Sequence, residues 1–232
     1  MIKSVAYLMH LIAHRGLSHL LPENTLAAFA CALAAGFNGI QTDVRLSADG
    51  ELVLFHDRTT PNGLPVAALT RSELSIEVGY LVPTLQESLE AFPEAFWNIE
   101  IKTPAAAPAT FALLETLAGQ RNILLTSIRH ELIIEAAETL DVECGLLIAH
   151  RPSALNAVLY PAIPFPRLRT LVWDYEALDP GLQQQASLLG FKNWVYGAET
   201  DYEHIFCTEF GIHGIITDFP EFVGLTYSPG LQ

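Results

Sequence analysis

The sequence is poor in cysteine and in positive charge, and it holds no apolar run long enough to span a bilayer. Three cysteines, Cys31, Cys144 and Cys207, are odd in number, far apart and in no metal-ligand spacing. That excludes a disulfide framework and a thiolate zinc site, and points to packing thiols in a reducing, cytoplasmic compartment. Lysine and arginine total 12 against 26 aspartates and glutamates, a formal charge of -14. The resulting field repels nucleic acid and anionic lipid, so neither is expected as a partner, and an anionic small molecule needs a local exception. The start, MIKSVAYLMHLIAHRG, lacks a small-residue cleavage site and meets His14 and Arg15 too early for a signal peptide, so stable membrane insertion is not expected. There is no internal repeat, low-complexity tract or long linker.

What is present is enough apolar residue for one large core: 232 residues, 50% hydrophobic and 16% charged, read as a single domain over 1–232. Eight short β-rich runs recur: HLIAH from His10, GIQTDV from Gly39, WNIEIK from Trp97, NILLTS from Asn122, CGLLIA from Cys144, TLVWD from Thr170, NWVYG from Asn193 and HGIITD from His213. Helical stretches lie between them, among them 23–35, 84–91, 109–118, 131–140 and 202–210, each after a cap or a proline. This alternation predicts a parallel sheet closed as a compact (β/α)8 barrel, with chemistry at the carboxyl ends of the strands. Residues 51–85 break the rhythm after the second strand. They open with a short extra strand across the SADG turn, and 58–82 form an insertion on the active-site face. The proline-rich stretch 161–169 reads as the loop entering the sixth strand.

Period-two alternation puts Gln41, Asp43 and Arg45 on one face of the second strand, and Glu100 with Lys102 on one face of the third. His14 shares the face of Ile12. Polar groups from separate strands therefore converge at one mouth, where branched apolar side chains would normally fill the lumen. Burying ionisable groups without partners costs roughly several kcal/mol, so the cluster needs a charged occupant. Arg15 and Lys102 provide the local exception to the acidic surface. Most of the eight histidines read as structural or surface residues. His14 and His56 differ, each ending a strand-like run and preceding a charged residue. Trp97, Trp173 and Trp194 read as core or pocket wall, and Ser127, ending the fourth strand, either touches substrate or caps the next helix.

The fragments AHRGLSHLLPENTLAAF, DVRLSADGELVLFHD, PTLQESL, WNIEIK and HGIITDFP, in this order over nearly the whole chain, resemble the signatures of the glycerophosphodiester phosphodiesterase family. The resemblance implies a barrel enzyme that hydrolyses a small-molecule glycerophosphodiester to glycerol 3-phosphate and an alcohol. It further implies one divalent cation, Mg2+ or Ca2+, and two histidines. His14 and His56 match the family's acid/base pair, Asp43 and Glu100 two metal carboxylates, and Arg15 and Lys102 the phosphate contacts. Glu23, in the Pro-Glu-Asn-Thr turn, matches a supporting residue, and Ser127 and Trp194 are carried as further supports. The nucleophile is water or the substrate's own adjacent hydroxyl.

Two positions depart from the pattern. The family usually has glutamate where Gln41 stands, as a third metal ligand. A glutamine carbonyl oxygen still suits a hard cation, above all calcium. The site loses one negative charge, an interaction of roughly 4 kcal/mol at ~4 Å near a surface, but also that charge's own desolvation penalty, which leaves a net weakening of roughly one to a few kcal/mol. The seventh strand reads Trp194, Val195, Tyr196, Gly197 where the family often shows Trp-Thr-Val-Asn, which leaves the glycerol-side contacts open. The alternative reading is a non-catalytic phosphate-ligand barrel marked by Gln41. A phospholipase of the phosphatidylinositol or sphingomyelinase type is disfavoured by the acidity and by the lack of an apolar docking segment. The alcohol and the assembly state, homo-oligomer included, stay open.

Overall fold

A computed structural model describes residues 9–117 and 119–225. The ends of the expected 1–232 domain, and Ala118 at the end of the expected 109–118 helix, lie outside the described residues. In chain order the elements are β1 (His10–His14), α1 (Leu26–Ala35), β2 (Gly39–Leu46), β3 (Leu52–Leu54), α2 (Arg71–Val78), α3 (Leu85–Ala91), β4 (Phe96–Ile101), α4 (Ala107–Leu117) and β5 (Asn122–Ser127). They continue with α5 (His130–Thr139), β6 (Glu143–Ile148), α6 (Leu155–Leu159), β7 (Leu168–Asp174), α7 (Pro180–Leu188), β8 (Lys192–Tyr196), α8 (Asp201–Glu209) and β9 (Gly214–Thr217). Eight parallel strands follow one another as β1-β9-β8-β7-β6-β5-β4-β2, and pairing of β2 with β1 closes the ring. The short β3 runs antiparallel to β2 outside that ring. The architecture is the expected (β/α)8 barrel with an insertion after its second strand.

Local chemistry sets where the helices begin. Thr25 Oγ1 accepts a hydrogen bond from Ala28 N, so α1 starts three residues later than the 23–35 pattern suggests, after a turn in which Asn24 has φ 57°. Thr84 with Glu87 and Thr200 with Glu203 form capping boxes for α3 and α8. Thr70 with Glu73 forms another for α2 inside the insertion. The insertion has its own apolar cluster of Val53, Phe55, Val66, Leu74 and Val82. Arg71 ties it to the barrel layer by a bidentate pair with Glu87 at 2.5 and 2.8 Å. In the 161–169 stretch the Arg169 guanidinium gathers the carbonyls of Ala162, Ile163, Phe165 and Leu168, satisfying a turn-rich loop that lacks ladder partners.

Alternation divides the strands between two cores. Ile40, Val44, Trp97, Ile99, Ile101, Leu125, Leu171, Trp173 and Ile215 face outward and pack with the helices. Ile12, Leu124, Leu147, Val172, Trp194 and Ile216 fill the lumen. At the amino-terminal end of the lumen the rings of His10, Phe96 and Trp194 stand 5.2–5.5 Å apart, centroid to centroid. Large rings fit there because a facing strand carries no side chain. A Cβ on Gly214 would lie 2.5 Å from the Trp194 ring, and one on Gly39 would lie 2.4 Å from the Phe96 carbonyl oxygen. Gly214→Ala is therefore expected to destabilise the barrel by about 1–3 kcal/mol in urea denaturation, and the added change Trp194→Leu to recover part of that loss. An unchanged midpoint for Gly214→Ala would contradict this packing.

Candidate active site

The carboxyl ends of β1, β2, β4 and the loop after β3 bring the polar residues together. Asp43 on β2 is in register with Glu100 on β4, and both strands turn these residues into the lumen. A cavity opens above them, lined on its polar side by His14, Arg15, Gln41, His56, Asn98, Glu100 and Lys102, and on its apolar side by Ile128, Leu147, Val172, Tyr196 and Ile216. Asp43 lies fully buried just beneath.

Two buried carboxylates in register must be compensated. Lys102 Nζ donates to Glu100 Oε1 at 2.7 Å and stands 3.4 Å from Asp43 Oδ1. Arg15 Nε stands 3.3 Å from Asp43 Oδ2 without the alignment of a hydrogen bond, and its Nη1 donates to Glu23 at 2.7 Å. Burial opposes ionisation of Asp43, but Lys102 and Arg15 outweigh it and hold the carboxyl below the usual range. Burial and then the Asp43 charge push Glu100 up. Arg15 is raised despite burial, because Asp43 and Glu23 face it. Its backbone sits in the left-handed region at φ 58°. Residues next to each other in a strand face opposite ways, and this kink lets His14 and Arg15 both serve one mouth, at a cost of about 1–3 kcal/mol for a non-glycine residue.

Asn24 is the hidden brace of the cluster. Its Nδ2 donates to Asp43 Oδ2 at 3.0 Å, while its Oδ1 accepts from Thr42 Oγ1 at 2.7 Å and from the Asp43 amide at 3.3 Å. Gln41 Nε2 donates to the other Asp43 oxygen at 3.2 Å. Gln41 Oε1 is buried with no hydrogen-bond partner. The amide thus pins Asp43 and leaves an oxygen unsatisfied, which suits a hard cation. Among the described residues no group of three or more His, Cys, Asp or Glu side chains is placed to hold a metal. The oxygen donors that gather here are the Asp43 and Glu100 carboxylates and this amide oxygen, the donor type a hard cation takes.

Both histidines engage a carboxylate through Nδ1: His14 with Asp218 Oδ2 at 2.9 Å, and His56 with Asp57 Oδ1 at 2.8 Å. The His56 carbonyl accepts two hydrogen bonds from Arg45, at 2.9 and 2.6 Å, which fixes the loop to β2. Burial, together with Arg15 and Lys102, lowers the His56 imidazole against the opposing pull of Asp43.

Of the residues singled out by sequence, His14, Arg15, Gln41, Asp43, His56, Glu100 and Lys102 meet here, with Glu23 attached through Arg15. Two supporting residues are corrected. Ser127 is fully buried on the outward parity of β5, donating to the Ile101 carbonyl at 2.7 Å and accepting from Arg129 N, away from the cavity. Trp194 has lumen parity but lies at the opposite end, in the ring cluster with His10 and Phe96. Two residues along the same strand, Tyr196 reaches the cavity instead, its phenol held protonated by burial and by Asp174. Sequence reasoning also passed over Asn24 and Asp218, which sit inside the quoted Pro-Glu-Asn-Thr and HGIITD fragments, and Asp57 directly after His56. Their polar type beside assigned residues was the available signal. Asn24→Ala is expected to lower stability in urea by about 2–4 kcal/mol, from unpaired buried partners and a strained left-handed alanine. Asn24→Gly, which relieves the backbone strain, should lose about 1 kcal/mol less. Equal losses would show that the turn conformation contributes nothing.

The sequence profile of the glycerophosphoryl diester phosphodiesterase family matches residues 14–222. A glycerophosphodiester phosphodiesterase of Caldanaerobacter subterraneus subsp. tengcongensis is 29% identical, over 90% of this chain and 94% of its own. The crystal structure of a glycerophosphodiester phosphodiesterase from Thermotoga maritima has a TM-score of 0.79 at 28% identity, covering 90% of this chain and 94% of that one. An Oleispira antarctica phosphodiesterase, solved with the product sn-glycerol-3-phosphate, has a TM-score of 0.79 at 23% identity, covering 93% and 95%, a likeness that concerns the fold. With a match running from the first cavity histidine to beyond the last barrel strand, the chain belongs to the glycerophosphoryl diester phosphodiesterase family and is an enzyme of that kind.

Proposed function

We propose that the protein hydrolyses glycerophosphodiesters, releasing glycerol 3-phosphate and an alcohol, with His14 and His56 moving the protons and one divalent cation, Mg2+ or Ca2+, held by Gln41, Asp43 and Glu100. The observation that carries this reading is the pair of imidazoles lining one cavity, each engaged through Nδ1 with a carboxylate, so that each Nε2 is left for substrate. The product complex of the Oleispira antarctica relative supports the substrate class. No feature of the cavity favours a non-catalytic binding barrel.

The chain's own groups divide the work. Arg15 and Lys102 receive the phosphate oxygens, the exception to an otherwise repellent surface. The unpaired Arg15 Nε is a donor already desolvated and directed at the cluster. His14, whose Nδ1 faces the Asp218 carboxylate, accepts the proton of the attacking oxygen on Nε2. His56, whose protonated form Asp43 and a bound phosphate anion favour, then delivers a proton to the alkoxide as its bond to phosphorus breaks. A divalent cation held by Gln41, Asp43 and Glu100 would add further charge neutralisation for the phosphate. Leu147, Val172, Ile216 and Tyr196 present the apolar wall against which the organic part of the substrate rests. No helix among the described residues is long and apolar enough to cross a membrane.

Glycerol 3-phosphate release from glycerophosphocholine, followed with and without added Mg2+ or Ca2+, tests the assignment. His14→Ala and His56→Ala should each lower kcat by roughly 10²–10⁴-fold, and full activity in either removes that histidine from the chemistry. Gln41→Glu restores a third carboxylate. Calorimetric titration should then give tighter cation binding by about 1–3 kcal/mol, whereas unchanged affinity would place residue 41 outside the coordination sphere.

A further inference from the structure

We infer that Asp218, fixed by Ser18, is a positioning residue that locks the His14 imidazole in the Nδ1–H form and so presents Nε2 to the substrate. This rests on the proposed hydrolytic role of His14.

The placement follows from strand register. β1 and β9 pair with Ile12 beside Ile216 and Ala13 beside Thr217. One residue further, His14 and Asp218 stand side by side with the same inward parity, although 204 positions separate them in the chain. The two carboxylate oxygens have separate donors: the His14 ring at 2.9 Å, and the Ser18 hydroxyl at 2.6 Å. The backbone beneath is also held. Thr217 Oγ1 bonds His204 Nε2 at 2.7 Å on the outward side and accepts from Phe219 N at 3.0 Å, so the carboxylate projects from an anchored strand end. Burial opposes the charge on Asp218, but the His14 and Ser18 hydrogen bonds keep its carboxyl below the usual range. An ionised carboxylate accepts only, so the ring nitrogen facing it must carry hydrogen. The partner of His56 differs: Asp57 has a side chain 72% exposed, against 36% for Asp218, so water competes for that contact.

An asparagine at 218 keeps the shape but can offer its own N–H to Nδ1, which moves the ring hydrogen to Nε2. Asp218→Asn should therefore reduce kcat for glycerol 3-phosphate release by roughly 10³–10⁴-fold with KM within about threefold. Asp218→Ala, which imposes no wrong tautomer, should lose less, roughly 10–100-fold. A merely structural role predicts the reverse order, since the isosteric variant would be the milder. Ser18→Ala leaves Asp218 in place and should lower kcat modestly, again with KM unchanged. Nitrogen-15 NMR of the His14 ring gives a readout independent of turnover: Nδ1–H in the unmodified protein and Nε2–H in Asp218→Asn. An Nε2–H ring in the unmodified protein, or an asparagine variant as active as the alanine variant or more so, overturns the inference. Absence of turnover in the unmodified protein with the Nδ1–H form intact would instead fail the proposed function and leave the positioning role standing.

Discussion

Parallel strands in fixed register put the Asp43 and Glu100 carboxylates beside each other in a closed lumen, and much of the local design answers that repulsion. Lys102 bridges the two, Arg15 leans on Asp43 through a left-handed kink, and Asn24 and Gln41 each donate to one Asp43 oxygen. Nothing in this arrangement is stable piecemeal. A lone buried carboxylate would protonate, and a lone buried guanidinium would lose its reason to be there. The same arrangement leaves vacancies of the right sign, an unsatisfied amide oxygen and an unsatisfied guanidinium nitrogen, so the cluster is balanced as a framework yet incomplete as a set of contacts.

The parity of the strands could be read from residue type. Gln41 with Asp43, Glu100 with Lys102, and His14 with Ile12 alternate cleanly against apolar neighbours, and the closed ring turns each set inward. Depth along the lumen could not be read this way. Trp194 and Tyr196 have the same parity, and only the stagger of neighbouring strands decides which of them reaches the mouth. Ser127 shows the other limit: a strand-end position points to the mouth, whereas parity turns its hydroxyl toward the helix layer and the Ile101 carbonyl.

Partners that arise only on folding were least visible. Asn24 meets Asp43 because a turn doubles back over β2, and His14 meets Asp218 because the ring closes. In both cases the chain supplies a polar residue with no local hint of what it will bond. The α2 cap was of the opposite kind: Thr70 and Glu73 carry a local helix-start pattern within a segment otherwise read only as an irregular insertion. Local rules thus sufficed for the barrel strands and their facing, and long-range pairing decided the bracing of the site.

Residue His56 sits at the base of the insertion, yet its carbonyl is clasped by Arg45 from the barrel wall, while 58–82 pack on a small cluster of their own. The His56 imidazole is thereby held apart from the outer part of that excursion. Changes of length or composition along 58–82 can therefore accumulate without moving the His56 backbone, because the two are held by separate contacts.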